Sequence, residues 1–164
     1  MNKMKEKVYE YLDSIGITYE IHEHPPLYTC ADHDKYHLDF GAIGIKNLFL
    51  RNHNKSAYYL VSMPDEKRID LHTLSMILDE KKLSFASEED LYDKLRVTTG
   101  SVSILNTIEC DKSVIVVVDR DIIVNERVGF HPNENTVTIV FKGTEIDKIL
   151  SGLDIEYRFM DLEV

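Results

Sequence analysis

Three short stretches carry groups that could do chemistry: Lys46-Asn47 at the head of GIKNLFL (44–50), the loop TTGSVS (98–103), and GFHPNENTVTI (129–139). A strand with Leu48, Phe49 and Leu50 in succession is covered on both faces, and an ammonium group pushed in that direction loses hydration. Lys46 therefore either lies at a rim, its stem snorkelling along apolar surface, or serves a ligand. Gly100 lets the loop backbone approach a ligand closely. His131 belongs to the side-chain class suited to proton transfer near neutral pH, although HPNEN is also a good turn sequence. All three stretches fall where strands meet loops, which is how polar side chains are brought to a cleft while the strands stay buried.

Other candidates are weaker. His33 and His37 lie four apart beside Asp32, Asp34 and Asp39, a spacing that can place two metal ligands on one helix face, but no third ligand set accompanies them. His22 and His24, on one strand face, can join them in principle; all four histidines read as ordinary exposed polar residues, and no metal is expected. Cys30 needs a neighbouring base to act as a nucleophile, and none is evident. With Cys110 it makes up the whole cysteine content and there is no CxxC, so a reducing compartment is expected.

The elements that must position these groups follow from periodicity. Met4, Val8, Tyr11, Leu12 and Ile15 recur at helical spacing before Gly16, which predicts a helix over residues 3–15. ITYEIHEH alternates as a strand until Pro25-Pro26, and Thr29, with Asp32, predicts a capped short helix through the thirties. Residues 44–51 and 57–63 predict a hairpin around NHNKS. Asp70, Ser87 and Thr144 are expected to cap three further helices, LSFA a short strand between the first two, and VIVVVD (114–119) and TVTIVF (136–141) two central strands, with IEYRFMDL closing the sheet.

The chain of 164 residues, with no repeat, linker or low-complexity stretch, is expected to form a single α/β domain with a mixed sheet. Strands and helices do not alternate strictly, and neither GxGxxG nor a P-loop occurs, which argues against a doubly wound nucleotide fold. The longest apolar runs are too short to span a bilayer and the first residues are amphipathic rather than signal-like, so no membrane association and a cytoplasmic location are expected. A net charge of −10 gives no general attraction to a nucleic-acid backbone. Any RNA contact must be local, and KNLFLRNHNK (46–55), with Lys46, Arg51 and Lys55 and no carboxylate, is the stretch richer in base.

Taken together, EHPPLYT (23–29), KNLFL (46–50), KLSFASEEDL (82–91), GSVS (100–103) and FHPNENT (130–136) resemble the prolyl-tRNA synthetase-associated editing domain, or YbaK-like, family, and within it the freestanding Ala-tRNA(Pro) deacylases. The resemblance implies a mixed, partly barrel-like β-sheet with flanking helices. It implies hydrolysis of a mischarged amino acid from the 3′ end of aminoacyl-tRNA, with the terminal 2′-hydroxyl helping to activate water and prolyl-tRNA synthetase as a candidate partner. It places catalytic roles on Lys46, Asn47, Gly100, Ser101 and His131. Such a hydrolysis needs positioned water, a proton acceptor and donors to a developing oxyanion, but no metal or other cofactor. Lys46 and Asn47 are expected to meet the terminal phosphate or sugar oxygens, backbone N–H groups of Gly100 to Val102 the ester carbonyl, and His131 a water or the ribose. Candidate substrate-binding residues are Ile21, Ile45, Val102, Ser103 and Phe130, together with Asn135 and Thr136, which also hold the turn. Two departures stand out: Ile104 occupies the place where relatives commonly carry a proline, which bears on loop rigidity, and Ile45 stands where a small or polar residue is common. A Cys-tRNA(Pro) deacylase, or a noncatalytic aminoacyl-tRNA or amino-acid-binding regulatory module, are the alternatives.

Overall fold

A computed structural model describes residues 3–25, 42–98, 100–133 and 136–163. Helix α1 (Lys3–Ser14) buries Val8 and Leu12 and ends at Gly16, whose φ of 77° lies in the left-handed region that glycine enters without a Cβ penalty. Strand β1 (Glu20–Glu23) follows. The expected hairpin is formed by β2 (Ile45–Asn52) and β3 (Tyr58–Pro64), antiparallel with Lys46 opposite Met63 and Asn47 opposite Ser62. Helix α2 (Leu71–Ile77) is capped by Asp70, which accepts from the Thr73 N–H. Strand β4 (Leu83–Phe85) leads into α3 (Glu88–Leu95), capped by Ser87, which accepts from the Asp90 N–H. A 3-10 helix (Ile104–Glu109), β5 (Ile115–Asp119), the single turn α4 (Arg120–Ile123), β6 (Val128–Phe130), β7 (Val137–Phe141), α5 (Glu145–Ser151) and β8 (Glu156–Met160) complete the order.

The mixed α/β class is as expected, and the described strands form two sheets that do not close into a full barrel. One sheet is antiparallel in the order β1-β7-β6; the other, β4-β2-β3-β5-β8, joins the hairpin to the parallel pairs β3/β5 and β5/β8. Among the described residues a parallel bridge, Ile43 to Val128, links the two. The larger core cluster lies on one face of the five-stranded sheet and combines Phe49, Leu60, Val116 and Val118 with Ile104, Leu105, Phe130 and Ile139. The second lies on the other face, where Leu50, Val61, Met63 and Val117 pack on Leu74 and Leu78 of α2. Alternation along β2 thus assigns its odd-numbered residues to the first cluster and its even-numbered ones to the second.

Thr144 occupies the N-cap position of α5, but its side chain makes no capping bond. The short helix expected through the thirties, with Thr29, Cys30, Asp32, His33 and His37, lies outside the described residues. Among the described residues no helix is long and apolar enough to cross a membrane.

Two carboxylates tie distant segments and give the fold an acid dependence. Arg127 makes a bidentate pair with Glu20 and holds its carboxyl down to about 2. The Ser113 hydroxyl and N–H, with Lys94 at 3.1 Å, hold Asp111 down to about 2 as well. A carboxyl depressed in the folded state stabilises fully above its unfolded value and loses that contribution as pH falls through its folded value. Urea midpoints should therefore drop between about pH 4 and pH 2, and Glu20→Gln should flatten part of that drop.

Candidate functional site

The glycine loop and the histidine turn are joined by side-chain hydrogen bonds. Ser103 ends the loop in extended backbone and caps the 3-10 helix, its Oγ accepting from the Leu105 N–H at 3.0 Å. The same hydroxyl donates to the His131 carbonyl at 2.7 Å. Asn106, three residues on, completes a capping box: its Oδ1 accepts from the Ser103 N–H at 2.8 Å. Its Nδ2 donates to the Ser101 carbonyl at 3.2 Å and to Asn133 Oδ1 at 2.5 Å. Ser101, Ser103, Asn106 and Asn133 are all buried. Asn133 adopts a φ of 68°, and among the described residues its Nδ2 has no hydrogen-bond partner.

The loop's backbone donors are not equivalent. The Ser101 N–H is committed to the Thr98 carbonyl at 3.2 Å and the Ser103 N–H to Asn106. The Val102 N–H, between them, makes no hydrogen bond to a described residue. Gly100 has a φ of 96°, so the expected need for glycine here comes from backbone conformation as well as from close approach.

His131 follows β6 directly. Its Nδ1 lies 2.8 Å from the Val137 carbonyl, which can only accept, so Nδ1 carries a proton and the ring is fixed against β7. Beside it stands His24, with ring centroids 5.9 Å apart. His24 corrects the expectation of an exposed residue: it is 8% exposed, with Nδ1 donating to the Pro25 carbonyl at 2.9 Å and Nε2 2.7 Å from Thr138 Oγ1. The antiparallel ladder extends past β1 through the His24 N–H to the Thr136 carbonyl, which draws the ring against β7. His22 bonds Glu20 at 3.1 Å.

Lys46 and Asn47 do not act as the side-by-side pair that their adjacency suggests. Asn47 faces the larger cluster and accepts from the Ser62 hydroxyl at 2.5 Å, on the sheet face that also carries the 3-10 helix and Phe130. Lys46 faces the opposite side, half-buried, where Nζ donates to the Lys67 carbonyl at 2.5 Å. That bond uses one of the three donors of the ammonium. The bridge from Ile43 to Val128 runs in the parallel sense, so Lys46 and His131 each stand three residues beyond it, at the same end of the two sheets.

The apolar candidates separate. Ile45 and Val102 are half-buried and pack on the larger cluster. Phe130 is a core residue, 2% exposed and stacked on Phe141 with centroids 5.7 Å apart. Ile21 shares the Phe130 row through Ile139 but, on an edge strand, remains 48% exposed, too open for a pocket wall. Thr136 is half-buried beside the turn, and Asn135 lies outside the described residues. Burial pushes the Cys110 thiol up to about 11, which disfavours the thiolate. A cavity of about 560 Å³ lined by Tyr19, Arg127, Lys142 and Glu145 contains none of these site residues. Among the described residues no group of three or more His, Cys, Asp or Glu side chains could hold a metal ion.

The capping box also bears on Ile104. Ser103 is already extended, as a residue before proline must be, and the Ile104 N–H at the first helical position donates to no described residue. Ile104→Pro should therefore keep the backbone, losing about 1 to 2 kcal/mol in urea unfolding from the removed core side chain. Loss of the folded state would show that the loop geometry at this position differs from that a proline accepts.

Comparison with known proteins places this arrangement. Residues 24–149 match the family model of the aminoacyl-tRNA editing domain. The chain is 33% identical over 159 residues to the prolyl-tRNA editing protein ProX of Acetoanaerobium sticklandii, covering 96% of this chain and 97% of that one. It is 30% identical over 141 residues to prolyl-tRNA synthetase associated domain-containing protein 1 of Xenopus laevis, covering 83% of each. A solved structure described as a candidate trans-editing enzyme for prolyl tRNA synthetase has the same fold, with a TM-score of 0.73 at 16% identity over all of this chain and 99% of that one. The locked loop, the histidine turn and the strand-end lysine are thus carried on a chain that belongs to the aminoacyl-tRNA editing domain family.

Proposed function

We propose that this protein is a metal-independent aminoacyl-tRNA deacylase that acts in trans on mischarged tRNA(Pro), with Ala-tRNA(Pro) as its preferred substrate. The observation that carries the proposal is the hydrogen-bonded union of loop 100–103 with the His131 turn on a chain related along nearly its full length to a prolyl-tRNA editing protein. Water adds to the ester carbonyl carbon, the carbonyl electron pair moves to oxygen, and loop N–H groups hold the resulting oxyanion. Collapse breaks the bond to the ribose oxygen, which takes the proton released by the water. His131, with its ring fixed through Nδ1, orients the water or the ribose. Asn47 adds an amide on the same sheet face. The flexible stem of Lys46 lets its ammonium reach terminal phosphate or sugar oxygens at the strand end.

Ile45, Val102 and Thr136 border the proposed amino-acid pocket, and the buried Ser103 braces it through the His131 carbonyl. Size exclusion would reject bulky side chains, whereas one methylene in an apolar pocket separates substrates by only about 1 to 3 kcal/mol. Prolyl-tRNA synthetase is the proposed source of the mischarged tRNA, in the cytoplasm. The test is a deacylation panel with Ala-, Ser-, Cys- and Pro-tRNA(Pro). Alanine should be released fastest and proline spared. Faster release of cysteine would move the specificity to Cys-tRNA(Pro), and tight, salt-sensitive binding without turnover on any substrate would overturn the enzyme reading in favour of a binding module.

A further inference from the structure

The peptide bond between Ser101 and Val102 is held from one side. Its carbonyl accepts from Asn106 Nδ2 at 3.2 Å. The identity of that atom is settled by the next peptide: the Ser103 N–H must meet an oxygen, so Oδ1 takes that position and Nδ2 the other. A single side-chain amide therefore brackets Val102, gripping the backbone acceptor before it and the backbone donor after it. There are no cis peptide bonds in the described chain, and in a planar trans peptide the C=O and N–H point in opposite directions. Fixing the Ser101 carbonyl on Asn106 turns the Val102 N–H away from Asn106. Asn106 is fully buried and Val102 half-buried, and the Val102 N–H is the one loop donor of the three that bonds no described residue. The second Nδ2 hydrogen reaches Asn133 Oδ1 at 2.5 Å, so the same amide also sets the loop against the turn that carries His131.

We infer that Asn106 is a positioning residue of the deacylation, holding the Ser101–Val102 peptide in the one orientation that presents the Val102 N–H to the oxyanion formed when water adds to the ester. The inference rests on the deacylase reading above. Without the amide, the peptide plane can rotate, and the donor is replaced by a carbonyl that repels the developing charge. Ground-state binding of tRNA is not touched by this rotation, since the interaction strengthens only as charge builds on the oxygen.

The experiment measures single-turnover and steady-state deacylation of Ala-tRNA(Pro) by wild type, Asn106→Ala, Asn106→Asp and Leu105→Ala. Asn106→Ala should lower kcat about 10- to 100-fold with KM within about threefold. Asn106→Asp keeps the acceptor for the Ser103 N–H, and hence the helix cap, but sets a carboxylate against the Ser101 carbonyl; it should lose at least as much and supplies the result if the alanine variant does not fold. Leu105→Ala removes a fully buried neighbour on the same helix without touching the bracket, and its kcat should stay within about twofold at a temperature where it is folded. An Asn106 variant with near-wild-type kcat, or an equal loss in Leu105→Ala, would overturn this inference alone. Wild-type protein without turnover on any substrate would overturn the deacylase reading and this inference with it.

Discussion

Replacing Lys46 by alanine is expected to slow amino-acid release by about 100-fold or more while leaving the protein folded. The strand around Lys46 is held by backbone pairing to β3 and by apolar neighbours on both faces, none of which needs the ammonium. What the side chain holds in the ligand-free protein is one backbone carbonyl, that of Lys67, beside the exposed Arg68 segment where water can take its place. The stability change should stay near 1 kcal/mol. A 100-fold loss corresponds to about 2.7 kcal/mol of barrier, reasonable for one charged contact to the substrate's phosphate or sugar oxygens. Labelled alanine release under single-turnover conditions, with thermal unfolding followed in parallel, separates the two effects. Release within threefold of wild type would remove Lys46 from the mechanism.

Asp119→Ala should cause the largest loss of stability, about 3 kcal/mol in urea unfolding. Asp119 is fully buried at the end of β5, where one oxygen accepts from Lys67 Nζ at 2.8 Å and the other caps α4 through the Asp121 N–H at 3.0 Å. Burial pulls the Lys67 ammonium toward deprotonation, but its bonds to Asp119 and Asp121 outweigh this and raise its pKa. Removing Asp119 leaves a largely buried cation with Asp121 at 2.9 Å and the more distant Glu163 at 3.9 Å, which is why the loss falls at the lower end of the range for broken buried pairs. Asp119→Asn keeps the side-chain volume and one acceptor oxygen, enough for the cap or for Lys67 but not for both, and should lose distinctly less. Equal losses in the two variants would show that the charge carries the effect and that the retained side-chain volume and acceptor add nothing. Lys67 supplies the carbonyl that holds Lys46, so the alanine variant also tests whether this ion pair steadies the strand-end lysine.

Long periodic segments and side-chain caps were legible before the fold was known. Helix α1, the β2/β3 hairpin and the caps at Asp70 and Ser87 are local matters of spacing and of one hydroxyl or carboxylate meeting one N–H. Strand β6 carries no strand signal of its own, because three residues with a central glycine show no alternation and acquire their conformation from β7. The burial of His24 is not legible locally, because it depends on His131 and Thr138, more than a hundred residues away. The two-sheet arrangement depends on which strands pair, which neither propensity nor period specifies. Asn106 is different: Ser103-Ile-Leu-Asn106 sets a hydroxyl three residues before a polar side chain, much as Ser87-Glu-Glu-Asp90 does, so a local signal is present there. Adjacency in sequence misled at Lys46 and Asn47, since neighbours on a strand point to opposite faces.

The Ser103–Asn106 capping box has a thermal consequence. A proline at position 104 would narrow the backbone even in the unfolded chain, whereas a capping box restrains nothing until the 3-10 helix exists. Order in the 100–103 loop is therefore conditional on one short helix resting on α1 and α3. Ile104 and Leu105 anchor that helix in the core, so what can loosen first, below the temperature at which the sheets separate, is the cap and the loop it holds. Heating should then extinguish turnover before the molecule unfolds, and installing the proline should bring the two temperatures together.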